Sequence, residues 1–347
     1  MITDLERVYR WLCDLESKEI FLNRLNYNIT GDFRYISSIV DNYVRRISNN
    51  FSWEDLISRI KNLPDETKIV IYGAGGEGDA LYWILKSSGI TADVFCDRNT
   101  SLDGSKTIPV ISPKKLFDDY KFNKIAIVIG TEMYFDEIYE FLVENGIKKE
   151  DIYGGAADTT KQYFDRQLLS LTEKECFVDC GALDLQTTMN FLNVCCGGKS
   201  YAFEPDISNF EKCMKMKEKY KLNNIEIYNH GCGSKKEILK FTSTQNGSSY
   251  VSDNGNTEIS IETLDQMLGL KEITFIKMDI EGMELEALKG STEVIKKQRP
   301  KLAISIYHKN DDLINIPIFI KNLVPEYKFY IRHYSIYPAE TILYAVI

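Results

Sequence analysis

The chain reads as an α/β protein with two Rossmann-like domains behind an N-terminal helical segment, and three observations predict this. β-rich runs alternate with helical stretches twice, over 63–155 and over 165–347, which is the pattern of parallel sheets. In both series apolar runs end in glycines or acids just before a helix, where open α/β sheets place ligands. The length of 347 residues exceeds one ordinary domain and fits two.

Residues 1–62 carry helical periodicity, with Leu5, Val8, Leu12 and Leu15 on one stripe and Ile36, Val40 and Val44 on another. Pro64 and Asp65 punctuate, and a short strand over 68–72 runs into glycines at 73, 75, 76 and 78. A helix over 79–88, a strand ending at Cys96 and Asp97, a helix over 113–119, a strand over 124–129 and a helix over 134–145 complete the small unit. In the second series strands are expected at 176–180, 200–203, 225–229, 238–242, 258–261, 274–278, 302–307, 328–333 and 342–346. Helices are expected at 187–194, 207–219, 283–296 and 312–323. The last two strands leave no room for a helix between them, so the second sheet is expected to be mostly parallel, with its last strand reversed.

Composition narrows the function classes. Hydrophobic content of 44% with 27% charged residues is that of a globular protein. A net charge of −9 and a pI near 5.1 argue against nucleic acid as a partner, because phosphate binding needs a concentrated basic surface. No apolar run reaches the roughly 20 residues that span a bilayer. The acidic, amphipathic start is unlike a secretory signal, and the eight cysteines are expected as reduced thiols of a cytoplasmic protein. Cys176 and Cys180 lie about 13 Å apart along one strand, too far to bridge. Cys195 and Cys196 lack metal-ligand spacing, so no metal site is assigned. Composition sets no oligomeric state.

Four strands of the second series finish at or beside an ionisable residue: Asp179, Glu204, Asp279 and His308. The carboxyl ends of a doubly wound sheet share one edge, so the four are expected to gather at one crevice. Taken singly, each has an ordinary explanation as a helix cap or a solvated loop residue. Glu204, just past the second strand, is placed to accept the ribose hydroxyls of a nucleoside. Asp179 and Gly181 stand at the first strand-to-helix turn, where a glycine permits close approach of the backbone.

The motifs VDCGALDLQTTMNF, YAFEPDISNF, KMDIEGMELEALKG and RPKLAISIYHKNDDLINIP, with the ending FYIRHYS…ETILYAVI, carry a family resemblance. Over about 170–347 the chain resembles S-adenosylmethionine-dependent methyltransferases of the FkbM family. The resemblance implies a seven-stranded methyltransferase sheet, and S-adenosylmethionine bound by Asp179, Gly181, Ala182, Glu204, Pro205 and Asp279. It implies Asp279, Glu281 and His308 as the set facing the acceptor, which in this family is usually a hydroxyl of a sugar or secondary metabolite. A hydroxyl needs a base, and His308 suits proton transfer near neutrality, with Asp279 orienting it. The reverse assignment is open, and so is a metal held by the pair. In one place the chain departs from the family pattern GAxxGDT. Leu185 replaces the second glycine and Gln186 the acid, with Asp184 a neighbouring substitute charge. That departure leaves room for a non-catalytic binding or scaffold protein that keeps the fold.

In the first domain GAGGEG satisfies GxGxxG between a strand and a helix, and Asp97 follows 19 residues after Gly78. This region resembles the small nucleotide-binding domains attached to sugar-modifying enzymes. A nucleotide, a nucleotide-sugar or NAD would then lie against Gly73, Gly75 and Gly78, with Asp97 on a ribose. The alternative is a module that binds nothing and positions its neighbour, and an enzyme centred on this domain is the remaining alternative function. The polar stretch 243–258 is expected either to cover the acceptor site or to form a solvated hairpin connection.

Overall fold

The computed structural model describes residues 2–46, 51–242, 250–252 and 254–347. They form two compact units, Leu22–Thr159 with His333–Glu340, and Met1–Phe21 with Thr160–Arg332 and Thr341–Ile347.

The first unit is built on a parallel sheet of β1 (Lys68–Tyr72), β2 (Val94–Cys96), β3 (Val110–Ile111), β4 (Ile125–Ile129) and β5 (Ile152–Tyr153), in the order β3-β2-β1-β4-β5. β4 is buried at all five positions, as a central parallel strand covered on both faces must be. Helices Gly76–Ser87, Pro113–Tyr120 and Phe135–Glu144 provide the crossovers. The second of these begins where Ser112 Oγ accepts from the Lys115 N–H and Pro113 opens the first turn. Val70, Ile127, Ile129, Leu116 and Leu142 form the centre of the core on one face of the sheet. Buried Glu132 pins two returning segments. Its carboxylate accepts from the N–H groups of Ala157 and Ile336 at 2.7 and 3.0 Å and from the Ser335 hydroxyl, and burial pushes its pKa up to about 7.

The second unit holds β6 (Cys176–Cys180), β7 (Lys199–Phe203), β8 (Ile225–Tyr228), β9 (Gly231–Cys232), β10 (Glu237–Thr242), β11 (Tyr250–Val251), β12 (Thr257–Glu262), β13 (Phe275–Met278), β14 (Lys301–Ser305), β15 (Lys328–His333) and β16 (Thr341–Val346). Seven of these make one sheet in the order β15-β16-β14-β13-β6-β7-β8, and β16 runs antiparallel to β14. The sheet is thus that of a Rossmann-like methyltransferase fold, with the expected reversal of the last strand. Phe177, Phe191 and Phe275 pack together beneath it, Phe177 and Phe191 with ring centroids 4.6 Å apart. The first residues of the chain join this unit. Leu12 bridges to Phe329, and Ser17 Oγ accepts the Ile331 N–H at 2.8 Å.

Two expectations differ from what is observed. The strands near 238–242 and 258–261 do not enter the large sheet; β10 and β12 pair antiparallel in a separate four-stranded sheet, β11-β10-β12-β9. In β10 Ile238 and Lys240 face solvent while Phe241 is buried, the half-exposed pattern of an antiparallel strand. The single helix expected over 283–296 is two, Glu284–Lys289 and Thr292–Gln298. Asp265 breaks it: its N–H takes the Gly290 carbonyl at 2.9 Å, and its carboxylate caps the N–H groups of Glu293 and Val294. Residues 243–249 and 253 of the expected cover lie outside the described residues. Among the described residues no helix is long and apolar enough to cross a membrane.

Gly78 packs the helix Gly76–Ser87 so closely on the β1 turn that a Cβ there would lie 2.1 Å from the Gly73 carbonyl oxygen. Gly78→Ala is expected to lower unfolding stability by about 2 kcal/mol or more, the cost of overpacking against backbone that cannot yield. Urea denaturation of the full chain measures it.

Candidate active site

Strands β14, β13, β6 and β7 are neighbours and mutually parallel, so their carboxyl ends open on one edge. That edge carries His308, Asp279, Asp179 and Glu204, but the four do not have the same surroundings.

Asp179 lies inside the sheet and is fully buried. Its Oδ2 accepts the Thr188 hydroxyl at 2.8 Å, and Oδ1 lies 3.1 Å from Lys277 Nζ, an ion pair not aligned as a hydrogen bond. Lys277 is the strand partner of Asp179 and is itself 2% exposed. Its ammonium also donates to the carbonyls of Gly181, at 2.8 Å, and Cys180, at 3.2 Å. Burial alone would lower its pKa, but the Asp179 and Asp279 carboxylates outweigh that and raise it. Asp179 therefore acts on the turn through Lys277 rather than by meeting a ligand. The sequence hid Lys277 inside an apolar run, and its signal was that a charge in a central strand demands a buried counter-charge.

The turn that Lys277 anchors is tight. Gly181 has φ +85, and a Cβ on it would lie 2.1 Å from the Asp279 carbonyl oxygen. The N–H groups of Gly181 and Ala182 both donate to the Phe203 carbonyl at 3.0 Å. Leu185 is left-handed at φ 66, yet its side chain is fully buried among Ala182, Ala202, Cys213 and Ile225. Left-handed backbone costs a non-glycine residue about 1–2 kcal/mol, and burying a leucine side chain returns about 1.5–3 kcal/mol. The substitution is thus accommodated in the core, and the leucine does not fill the crevice. Gln186 and Asp184 are exposed; the Gln186 amide donates to Asn190 and Asp184 Oδ1 accepts the Gln186 N–H.

Glu204 is held from both sides by backbone. Oε2 accepts the Leu183 N–H at 2.8 Å and Oε1 the Asp206 N–H at 2.9 Å. Each oxygen keeps a further acceptor position. The residue is 5% exposed, and burial pushes its pKa up to about 7 against the pull of those two N–H donors. Pro205 follows it, with its carbonyl receiving Asn229 Nδ2 at 3.1 Å.

Asp279 is the centre of the second cluster. Tyr163 donates to its Oδ2 at 2.9 Å and Tyr307 to its Oδ1 at 3.2 Å. Burial raises the Asp279 pKa, but the nearby Lys277 and His308 charges hold it below the ordinary carboxylate value. His308 Nε2 lies 3.5 Å from Asp279 and 3.6 Å from Glu281, while Nδ1 meets Glu284 Oε1 at 2.9 Å. Glu284 is wholly buried and also accepts the Ile280 N–H at 2.8 Å. Burial would lower the His308 pKa, but the carboxylates of Glu284, Asp279 and Glu281 hold it up to about 9. The imidazole of this structure is therefore protonated at neutral pH, the opposite of the base expected from its ordinary pKa. Burial raises Glu281 to about 7. Glu284 was not among the residues singled out in the sequence, since in ELEALK it reads as a helix-surface acid.

In the first unit the glycine loop has other work. Asp97 Oδ2 accepts the Ala74 N–H and Oδ1 the Asn99 N–H, both at 2.8 Å, so the carboxylate braces its own loops while each oxygen keeps a further acceptor position. Gly75 precedes a helix whose first turn carries Glu77 and Asp79, which oppose a phosphate at that terminus. Glu77 accepts the Glu132 N–H at 2.9 Å and Asp79 pairs with Lys106 at 2.6 Å. Gly73, with φ +107, and Gly78 are accounted for by the close packing of this turn.

The strand order is that of a Rossmann-like methyltransferase fold, and known proteins share it. Residues 179–331 match the family model described as Methyltransferase FkbM domain. The crystal structure of Methyltransferase FkbM from Methylobacillus flagellatus KT is similar over 92% of this chain and 100% of its own, with a TM-score of 0.51 and 19% identity, a likeness of fold. Looser likenesses are a SAM dependent methyltransferase from Aquifex aeolicus (15% identity, 54% of this chain, 92% of that chain, TM-score 0.32) and an rRNA methylase from Streptococcus thermophilus (14%, 52%, 89% and 0.33). No curated protein matches the chain.

Removing one partner of the Lys277–Asp179 pair leaves a buried charge without compensation. Lys277→Met is expected to cost about 3–5 kcal/mol of stability, read as a lower denaturation midpoint. The double variant with Asp179→Asn is expected to recover part of that loss.

Proposed function

We propose that the C-terminal unit transfers a methyl group from S-adenosylmethionine to a hydroxyl oxygen of a small-molecule or glycan acceptor, in glycan or secondary-metabolite biosynthesis. The observation that carries this reading is Glu204, a buried carboxylate fixed by two backbone N–H groups at the end of β7, with acceptor capacity left over. That donor set fits the two hydroxyls of a ribose, and the Gly181 turn fits close contact with the rest of the cofactor. S-adenosylmethionine, when bound, supplies an electrophilic methyl group on a sulfonium.

The residues of the chain do the rest. Glu204, with Ala182 and Pro205 beside it, orients the nucleoside, and Lys277 holds the turn in the shape that admits it. Asp279 and Glu281, 25% and 34% exposed at the side chain, present carboxylates to the acceptor hydroxyl. The cluster of Asp279, Glu281 and His308 aligns that hydroxyl, and a carboxylate of the cluster receives its proton as the new C–O bond forms and the methyl–sulfur bond breaks. Most of the rate enhancement in such a displacement comes from alignment. Tyr163 and Tyr307 fix Asp279 by their hydroxyl bonds.

The raised pKa of Glu204 gives a test with a definite sign. The carboxylate accepts both ribose hydroxyls only when ionised, so cofactor affinity is expected to rise from pH 6 to pH 8, with a slope below pH 7 approaching tenfold per pH unit. Stability responds in the opposite direction, because a folded pKa above the unfolded one stabilises below about pH 4.3 and that contribution is lost as pH rises through 7. Isothermal titration with S-adenosylmethionine measures the affinity, and Glu204→Gln is expected to bind at least about tenfold more weakly and to lose the slope. No binding heat from the wild-type chain at pH 8 would remove this reading.

A further inference from the structure

We propose that the C-terminal unit holds one divalent cation between the His308 imidazole and the carboxylates of Asp279 and Glu284. One ligand atom from each of these three lies within 4.8 Å of the others, a spacing that one ion closes with small side-chain shifts. Two carboxylate oxygens and one imidazole nitrogen, which gives up its proton to the solvent as the ion binds, suit Mn²⁺ or Zn²⁺ better than a purely oxygen-seeking ion.

Acids gathered around a histidine are common without a metal, and a second observation separates this cluster from those. Glu284 has no exposed surface, and while its Oε1 is used by His308 and the Ile280 N–H, its Oε2 has no hydrogen-bond partner. Nearby Asp312, 3% exposed, has an Oδ2 in the same condition. Buried carboxylate oxygens without donors are costly and rare, and an ion is one of the few things that satisfies them. Lys277 acts on Asp279 from one side, while Lys309 gives its ammonium to the Gly282 carbonyl. His308 Nε2 lies 3.5 Å from Asp279 and 3.6 Å from Glu281, separations longer than a hydrogen bond, while Nδ1 faces Glu284. Glu281, partly exposed, supplies a further carboxylate beside water.

What the cation does depends on the methyl-transfer reading; that it binds does not. In that reading it takes the acceptor hydroxyl as a ligand, which fixes the oxygen and makes its proton easier to remove, and Glu281 or water carries the proton away. The acceptor class follows: a hydroxyl with an adjacent oxygen donor, able to chelate, is preferred over an isolated alcohol.

The test titrates Mn²⁺ alone into the full chain and follows the paramagnetic resonance signal of the free ion. The proposal expects one ion bound per chain, with affinity reduced at least about tenfold in His308→Ala and in Glu284→Gln. Glu204→Gln is the control: it is expected to bind Mn²⁺ as the wild type does while losing S-adenosylmethionine. Circular dichroism melting checks that each variant folds, and His308→Gln replaces either variant that does not. A wild-type chain that leaves the Mn²⁺ signal unchanged overturns the cation site, even if S-adenosylmethionine still binds. Wild-type affinity in the folded His308 and Glu284 variants overturns it equally. Mn²⁺ binding that follows the variants, in a chain without cofactor heat, supports the site and rejects only the transfer reading.

Discussion

The buried pair of Lys277 and Asp179 is the constraint on which the rest of the C-terminal site depends. It joins the central strands β13 and β6 one residue before both end, and the same ammonium holds the carbonyls of Cys180 and Gly181. Taking two charges out of water is expensive, and apolar residues of the same volume would often serve stability as well or better. What the pair gives in return is geometry. With the Gly181 carbonyl fixed, the glycine is pressed against the Asp279 backbone with no space for a Cβ, so the Gly181 turn and the acidic turn are set at one separation. The charge of Lys277 also reaches Asp279 and keeps it ionised in a crowded, half-enclosed place. One side chain thus couples the Gly181 turn to the Asp279 cluster.

The two halves use carboxylates in opposite ways. Glu204 is held by neutral backbone donors and feels its own burial more than the Lys277 charge, which leaves its protonation sensitive near neutrality. Asp279 has two tyrosine hydroxyls and two cationic neighbours, and it stays charged. Around His308 the balance favours the acids, three of them against one imidazole. Such a concentration of negative charge attracts a positive group.

Most of the architecture was legible because it follows from periodicity and length. Alternating strands and helices gave two sheets, and the short connection before 342–346 gave the reversed strand. The exceptions have physical reasons. The polar alternation of β10 was visible in EILKFT but does not itself say which sheet the strand joins. The helix after Glu281 looked continuous because its break is imposed by Asp265, distant in sequence. In the site, acids at strand ends were visible as a class, but their partners were not. Lys277 was concealed by apolar neighbours, Glu284 by the surface-like helix ELEALK, and Tyr163 by a region that reads as linker. In the GxGxxG of the first unit, close packing by itself requires the glycine at 78. Leu185 looked like damage to the cofactor turn and is instead a core residue, because a left-handed backbone turns its side chain inward.

The most direct measurement is a crystal structure of the full chain with S-adenosylhomocysteine. The ribose hydroxyls are expected within hydrogen-bond distance of both Glu204 oxygens, with the amino-acid portion along the Gly181–Leu183 turn and the sulfur toward Asp279. Ligand density that avoids Glu204, or that lies only against the glycine loop of the first unit, would contradict this account.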